Sequence, residues 1–234
     1  MLLANAAYDM SKLPSVTGVE IFRSTAAGAD DHAAVAVKNG VAMVAIAGSD
    51  SAEDWLNNVA FQPTNDFHSG FYRGLHGMAN GIMNSVLASN PERVFMAGHS
   101  RGGALLEILL ENFFSPVIAS GVPITCMTFG APMTMTGWRV SNVPSKKQVS
   151  NVEFFRVVKY GDPVVKLPGG KLGYKHDTPA IFVGEKEPWW LRLRHFIRAA
   201  KGNDLRDLIM KNHVPEAYID SIRERILRQN VRLF

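Results

Sequence analysis

Val94-Phe95-Met96-Ala97-Gly98-His99-Ser100-Arg101-Gly102-Gly103-Ala104-Leu105 is the stretch on which the fold turns. An apolar run ends in Gly-His-Ser-Arg-Gly, and an Ala/Leu-rich run follows. This is the G-x-S-x-G pattern set between a strand and a helix. So tight a turn strains the backbone at Ser100, and Gly98 and Gly102, lacking a Cβ, let strand and helix pass close on either side. Ser100 Oγ is then expected to project from the top of a sheet. The N–H of Arg101 would lie beside it at a positively polarised helix N-terminus. An ordinary serine in a glycine-rich turn gives the same five residues. A phosphate-binding turn is disfavoured, because no Gly-Lys-Ser/Thr follows the glycines. A nucleophile further requires a base, an acid and a second oxyanion donor elsewhere in the chain.

Outward from this stretch, short apolar runs alternate with helical patterns. Ala33–Lys38 and Val41–Ala47 are split by Asn39-Gly40, a strong hairpin signal. Ile124–Phe129, Val152–Val158 and Ala180–Val183 read as strands. Residues 2–12, Ser51–Phe61, Phe71–Ala88, Gly102–Phe114, Pro188–Ala200 and Pro215–Arg228 read as helices. Continuous apolar strands separated by helices predict an α/β chain, a mostly parallel central sheet flanked by helices.

The 234 residues, 47% hydrophobic and 20% charged, suit one globular domain over 1–234 with a substantial core. No apolar run is long enough to cross a bilayer, and the first residues lack a signal peptide's basic and extended apolar regions. Cys126, the single cysteine, rules out an internal disulfide. A reducing, cytoplasmic setting is therefore expected but not required, with secretion as the alternative. Residues 1–137 hold 6 Lys+Arg and 11 Asp+Glu, whereas 138–234 hold 19 and 10, so the net charge of +4 hides a basic C-terminal part. No RNP, zinc-ligand or helix-turn-helix signature accompanies it, and nucleic acid is not the expected partner. Pro188–Lys201 reads as a basic amphipathic segment, suited to an anionic lipid surface or to packing on the core.

A serine nucleophile needs an imidazole base, and the imidazole needs a carboxylate. In open α/β sheets such groups come from loops at the carboxyl ends of strands. Asp162 follows the Val152–Val158 strand in a Gly-Asp-Pro turn, with Asp177 as its substitute. Of the seven histidines, His213 lies in a loop before the last helix and completes the order Ser…Asp…His required by the α/β-hydrolase topology. His176 and His195 also follow Asp162.

Several stretches, in order, resemble the class 3 (fungal-type) lipases of the α/β-hydrolase fold. They are Val44-Ala45-Ile46-Ala47-Gly48-Ser49, Asp54-Trp55-Leu56-Asn57, His68-Ser69-Gly70-Phe71, Gly98–Ala104, Thr128-Phe129-Gly130-Ala131-Pro132, Val157–Pro168, Gly173-Tyr174-Lys175-His176, and His213 with Tyr218. The resemblance runs from Ala33 to Ile219. It implies a Ser100–Asp162–His213 triad, and an oxyanion hole from Ser49 (N–H and hydroxyl) and the N–H of Arg101. It makes His176 structural. Trp55 and Val164 are expected substrate contacts. The implied reaction is hydrolysis of acylglycerols or other lipid esters, with no metal or organic cofactor. The alternative is a non-catalytic hydrolase fold that binds a membrane or a protein partner.

The chain departs from the family pattern at two places near the site. Ala47 stands for the usual Arg, removing a charge that supports the oxyanion strand. Arg101 stands for Leu and is expected to bring a cation near the site. The Ser51–Phe61 helix corresponds to the family's lid, and its short connection to His68 predicts restricted movement.

Overall fold

The computed structural model describes residues 19–25, 31–47, 63–186, 188 and 211–231, with side chains of the last helix described to Arg228. The expected helices at 2–12 and Ser51–Phe61, the segment after Pro188, His195, and the candidates Ser49 and Trp55 lie outside the described residues.

The strands in chain order are β1 (Glu20–Arg23), β2 (His32–Lys38), β3 (Val41–Ile46), β4 (Pro63–Thr64), β5 (Phe67–His68), β6 (Arg93–His99), β7 (Ile124–Phe129), β8 (Met135–Thr136), β9 (Val152–Lys159), β10 (Tyr174–Lys175) and β11 (Ala180–Val183). Seven of them form one sheet in the order β1-β2-β3-β6-β7-β9-β11. β1, β2 and β3 pair antiparallel, and every pairing from β3 to β11 is parallel. The hairpin expected at Asn39-Gly40 is present. Both residues have positive φ, 52° and 74°, which matches the turn to the right-handed twist of its strands.

The helices are α1 (Ser69–Ala88), α2 (Arg101–Ile108), α3 (Ser115–Ala119), α4 (Gly137–Asn142) and α5 (Pro215–Val231). After Ile108, the helix that follows the serine does not run on as α to Phe114, as its periodicity suggests. It widens into a π-helical segment over Leu109–Phe113.

The central strands β3, β6 and β7 are mostly buried on both faces, so their sequences run nearly continuously apolar, whereas β9 and the edge strand β11 are partly exposed and β9 carries Glu153 and Arg156. Met96 and Cys126 point into the main core with Leu75, Ile82, Leu105 and Leu109 of the helices. Their neighbours Ala97 and Met127 point the other way, to a second cluster with Phe129, Val157 and Tyr218 of α5. A second, antiparallel sheet of two-residue strands, in the order β10-β8-β5-β4, is too short to leave a periodic signal. β1, four residues long, is not foreseen by the sequence pattern.

One segment of α1 is bare of side chains where it faces the start of β2. A Cβ on Gly74 would lie 2.2 Å from Asp31 Oδ2 and 2.7 Å from Arg101 Nη2, so a larger residue there would force this pair to shift. Among the described residues no helix is long and apolar enough to cross a membrane.

Candidate active site

β6 delivers Ser100 to the carboxyl edge of the sheet, and α2 begins at the next residue. Ser100 has φ 55° and ψ −128°, outside the regions open to an L-residue without strain. Contacts on either side hold it there. The Ser100 N–H donates to Phe129 O at 2.8 Å, and Ser100 O accepts from the N–H groups of Gly103 and Ala104. A Cβ on Gly98 would sit 2.4 Å from Gly102 O, and one on Gly102 would sit 2.2 Å from Ile46 O. The two glycines of the pattern are thus where backbones touch. Arg101, first residue of α2, has an N–H with no intrahelical acceptor.

The structure brings Ser100, His213 and Asp162 together in one line. His213 Nε2 lies 2.7 Å from Ser100 Oγ, and His213 Nδ1 lies 2.8 Å from Asp162 Oδ2. A carboxylate only accepts, so Nδ1 carries the proton and Nε2 is free to accept from the serine hydroxyl. All three residues are buried. Asp162 is held by two further donors, Tyr218 O–H to Oδ2 at 2.6 Å and the Val164 N–H to Oδ1 at 2.9 Å. Tyr218 lies one turn into α5, which starts two residues after His213. Val164 thereby meets the site through its backbone, while its side chain lies wholly in the main core.

Gly130 makes room for this cluster. It has φ 63°, and a Cβ there would lie 3.0 Å from Asp162 Oδ2 and from the Tyr218 hydroxyl, and 3.1 Å from His213 Cε1.

His99 is a supporting residue that the sequence reading passed over. Its Nε2–H donates to the peptide oxygen of His213 at 2.6 Å, and the two rings lie 4.8 Å apart. Burial, and then the neighbouring His213, lower its pKa to about 3, so it stays neutral. The adjacent Asn212 accepts from Lys159 Nζ at 2.7 Å, which fixes the His213 loop from the other side. Spacing alone could not show either bond. His68, the last residue of β5 and directly before α1, is buried and stacked on Phe71. Burial, then the charge of Arg101, lowers its pKa to about 4.

The expectation that Arg101 places a cation near the site needs correction. Its guanidinium is taken up by Asp31, Nε to Oδ1 and Nη2 to Oδ2, both at 2.6 Å. Nη2 also donates to Gly70 O at 3.2 Å, and the group lies over the Phe71 ring. The partner carboxylate comes from 70 residues earlier, which is why the sequence hid it. Asp177 is likewise not an alternative to Asp162. It lies 2.5 Å from Lys147 Nζ, which also reaches Glu107 on α2. Burial pushes the Asp177 carboxyl up, but Lys147 together with hydrogen bonds from Thr178 and Ser145 holds the group below its ordinary value. Thr134 hydrogen-bonds the same Glu107. His176 Nε2–H donates to Val165 O at 2.8 Å.

Comparison with known proteins bears on the family and the fold. The family model for Lipase (class 3) matches residues 43–172. A secreted mono- and diacylglycerol lipase 1 from Fusarium solani is 29% identical over an alignment of 152 positions that covers 60% of this chain and 43% of that protein. The chain therefore spans less than half the length of that relative. Among solved structures, a Rhizomucor miehei lipase propeptide complex superposes with a TM-score of 0.63 at 20% identity, over 79% of this chain and 66% of that one. A triacylglycerol lipase described as having a serine protease triad at its catalytic centre gives 0.62 at 19% identity, over 79% and 77%. The mostly parallel sheet flanked by helices is the α/β-hydrolase fold shared with these structures, and with more than half its length matched by the family model this chain belongs to the class 3 lipases.

Proposed function

We propose that this chain hydrolyses carboxylic esters, acylglycerols or other lipid esters, through an acyl-enzyme on Ser100. The observation that carries the reading is the unbroken line from Ser100 Oγ through His213 to Asp162, at 2.7 and 2.8 Å. His213 Nε2 takes the hydroxyl proton as Oγ attacks the ester carbonyl. Asp162 stabilises the imidazolium that results, while Tyr218 and the Val164 N–H hold the carboxylate in place. The Arg101 N–H donates to the developing oxyanion, joined by Ser49 in the family pattern. His213 then gives its proton to the leaving alcohol, and a water activated by the same imidazole releases the acid. The names of the Fusarium relative and the structural neighbours support acylglycerols as the substrate class.

A single buried thiol, Cys126, suits an oxidising compartment as well as a reducing one, and the relative's name supports secretion. The continuous seven-stranded sheet supports one hydrolase domain. The lipid-facing role read for Pro188–Lys201 remains a proposal from sequence.

The test is covalent labelling with an organophosphonate, followed by p-nitrophenyl esters of increasing chain length. A single adduct on Ser100, absent in Ser100→Ala, with ester turnover lost in that variant, is the expected result. An unlabelled, folded wild-type protein would sink the reading.

A further inference from the structure

Two charges lie next to the nucleophile without belonging to its relay. Arg101 directly follows Ser100, and its side chain is clamped by Asp31 through two bonds of 2.6 Å. Asp31 is only 3% exposed, and Gly74 supplies the space for it. The pair ties together three pieces of backbone. Arg101 itself opens α2. Gly70 O, which accepts from Nη2, belongs to the first turn of α1. The residue after Asp31, His32, accepts from the Ala47 N–H at 3.0 Å, just beyond the end of β3.

A buried ion pair of this kind is weak evidence for stability. Replacing both partners by apolar residues of similar size is often neutral or favourable, because desolvation offsets the attraction. An apolar pair lacks direction, however. A guanidinium fork on a carboxylate fixes distance and plane at once. The group fixed here carries the N–H that must point to where an oxygen becomes charged only in the transition state, and that requirement is geometric. The chain has also lost an arginine at Ala47 and gained one at Arg101, relative to the pattern it otherwise follows.

We infer that Asp31 is a positioning residue for the oxyanion hole: through the bidentate bond to the Arg101 side chain it orients the Arg101 backbone N–H. This rests on the ester-hydrolase reading above. Asp31 touches neither substrate nor His213 in this role, and its removal acts on turnover rather than on the relay.

The experiment compares wild type with the double variant Asp31→Leu/Arg101→Leu and with Asp31→Asn, on a soluble short-chain ester. The double variant removes both charges together, so no buried charge is stranded. Asp31→Asn keeps the shape and one acceptor, and serves if the double variant fails to fold. Misaiming a donor by a fraction of an ångström lowers kcat about ten- to a hundredfold in the double variant, and by a smaller factor in Asp31→Asn. KM and both limbs of the pH profile stay as in wild type, because His213 and Asp162 are untouched. The rate of phosphonate labelling falls with kcat. A folded variant with wild-type kcat, or one in which KM changes and kcat does not, would overturn the inference and leave Asp31 a packing residue. Failure of wild type to label at Ser100 would instead overturn the hydrolase reading on which it rests.

Discussion

Acidification from pH 7 to pH 5 is expected to destabilise this protein through two imidazoles that stay neutral in the fold. His99 is held at a pKa of about 3, first by burial and then by His213. His68 is held at about 4, first by burial and then by Arg101 and Arg73. Unfolded, each returns to about 6.5. Their folded values are depressed, so the unfolded chain binds protons that the native chain refuses. The stability they support is complete above pH 6.5 and is lost as the pH falls toward 4 and 3. Between pH 7 and 5 each contributes a loss of about 2 kcal/mol, or roughly 4 kcal/mol together. For a domain of this size that is a fall in Tm of roughly 10 °C. His176, whose pKa is lowered chiefly by burial, acts in the same sense. The assay is thermal unfolding by circular dichroism at pH 7, 6 and 5 and constant ionic strength. His99→Asn, which keeps an N–H for the His213 carbonyl, should remove about half of the pH dependence. A Tm that does not change between pH 7 and 5 would refute the reasoning. So would an unaltered slope in a folded His99→Asn/His68→Asn protein.

Three further outcomes follow from individual contacts. Tyr218→Phe deletes a 2.6 Å hydrogen bond to the Asp162 carboxylate. Bonds to charged groups contribute about 1.5–3 kcal/mol, and we expect kcat to fall at least about tenfold; unchanged turnover would deny Tyr218 its part. Gly130→Ala sets a methyl group 3.0 Å from Asp162 Oδ2 at a φ of 63°, and should cut kcat/KM more than about a hundredfold while the far-UV spectrum is retained. Equal kcat/KM would mean that the cluster has slack the distances do not suggest. Lys147→Met strands Glu107 and Asp177 without their cation. A loss of about 3–5 kcal/mol in urea unfolding is expected, and a midpoint matching wild type would count against the network.

What the sequence made legible was local or ordered. Asn39-Gly40 signals its turn because both positions need positive φ, and Gly98 and Gly102 signal theirs because backbones touch there. Ser100, Asp162 and His213 could be ranked because chain order and strand ends restrict where a relay can form. What escaped depended on pairings between distant residues. Arg101 reads as a cation by the site until Asp31 is found across 70 residues of chain. Asp177 reads as a spare acid until Lys147 is found on it. His99 is one histidine among seven until its ring is found on the peptide oxygen of His213, 114 residues away. The two-residue strands of the small sheet have no period to detect, and the π segment at Leu109–Phe113 differs from an α-helix only in hydrogen-bond register.

The bare face of α1 at Gly74 carries a consequence for how such a chain can diverge. Aspartate at 31 and arginine at 101 meet as they do because position 74 has no side chain; a methyl group there would overlap both and force them to move. The three positions are therefore sterically coupled. A descendant that loses the arginine gains freedom at 74, and one that first fills 74 keeps the pair only in a shifted position. The order of substitutions, as well as their identity, therefore matters here.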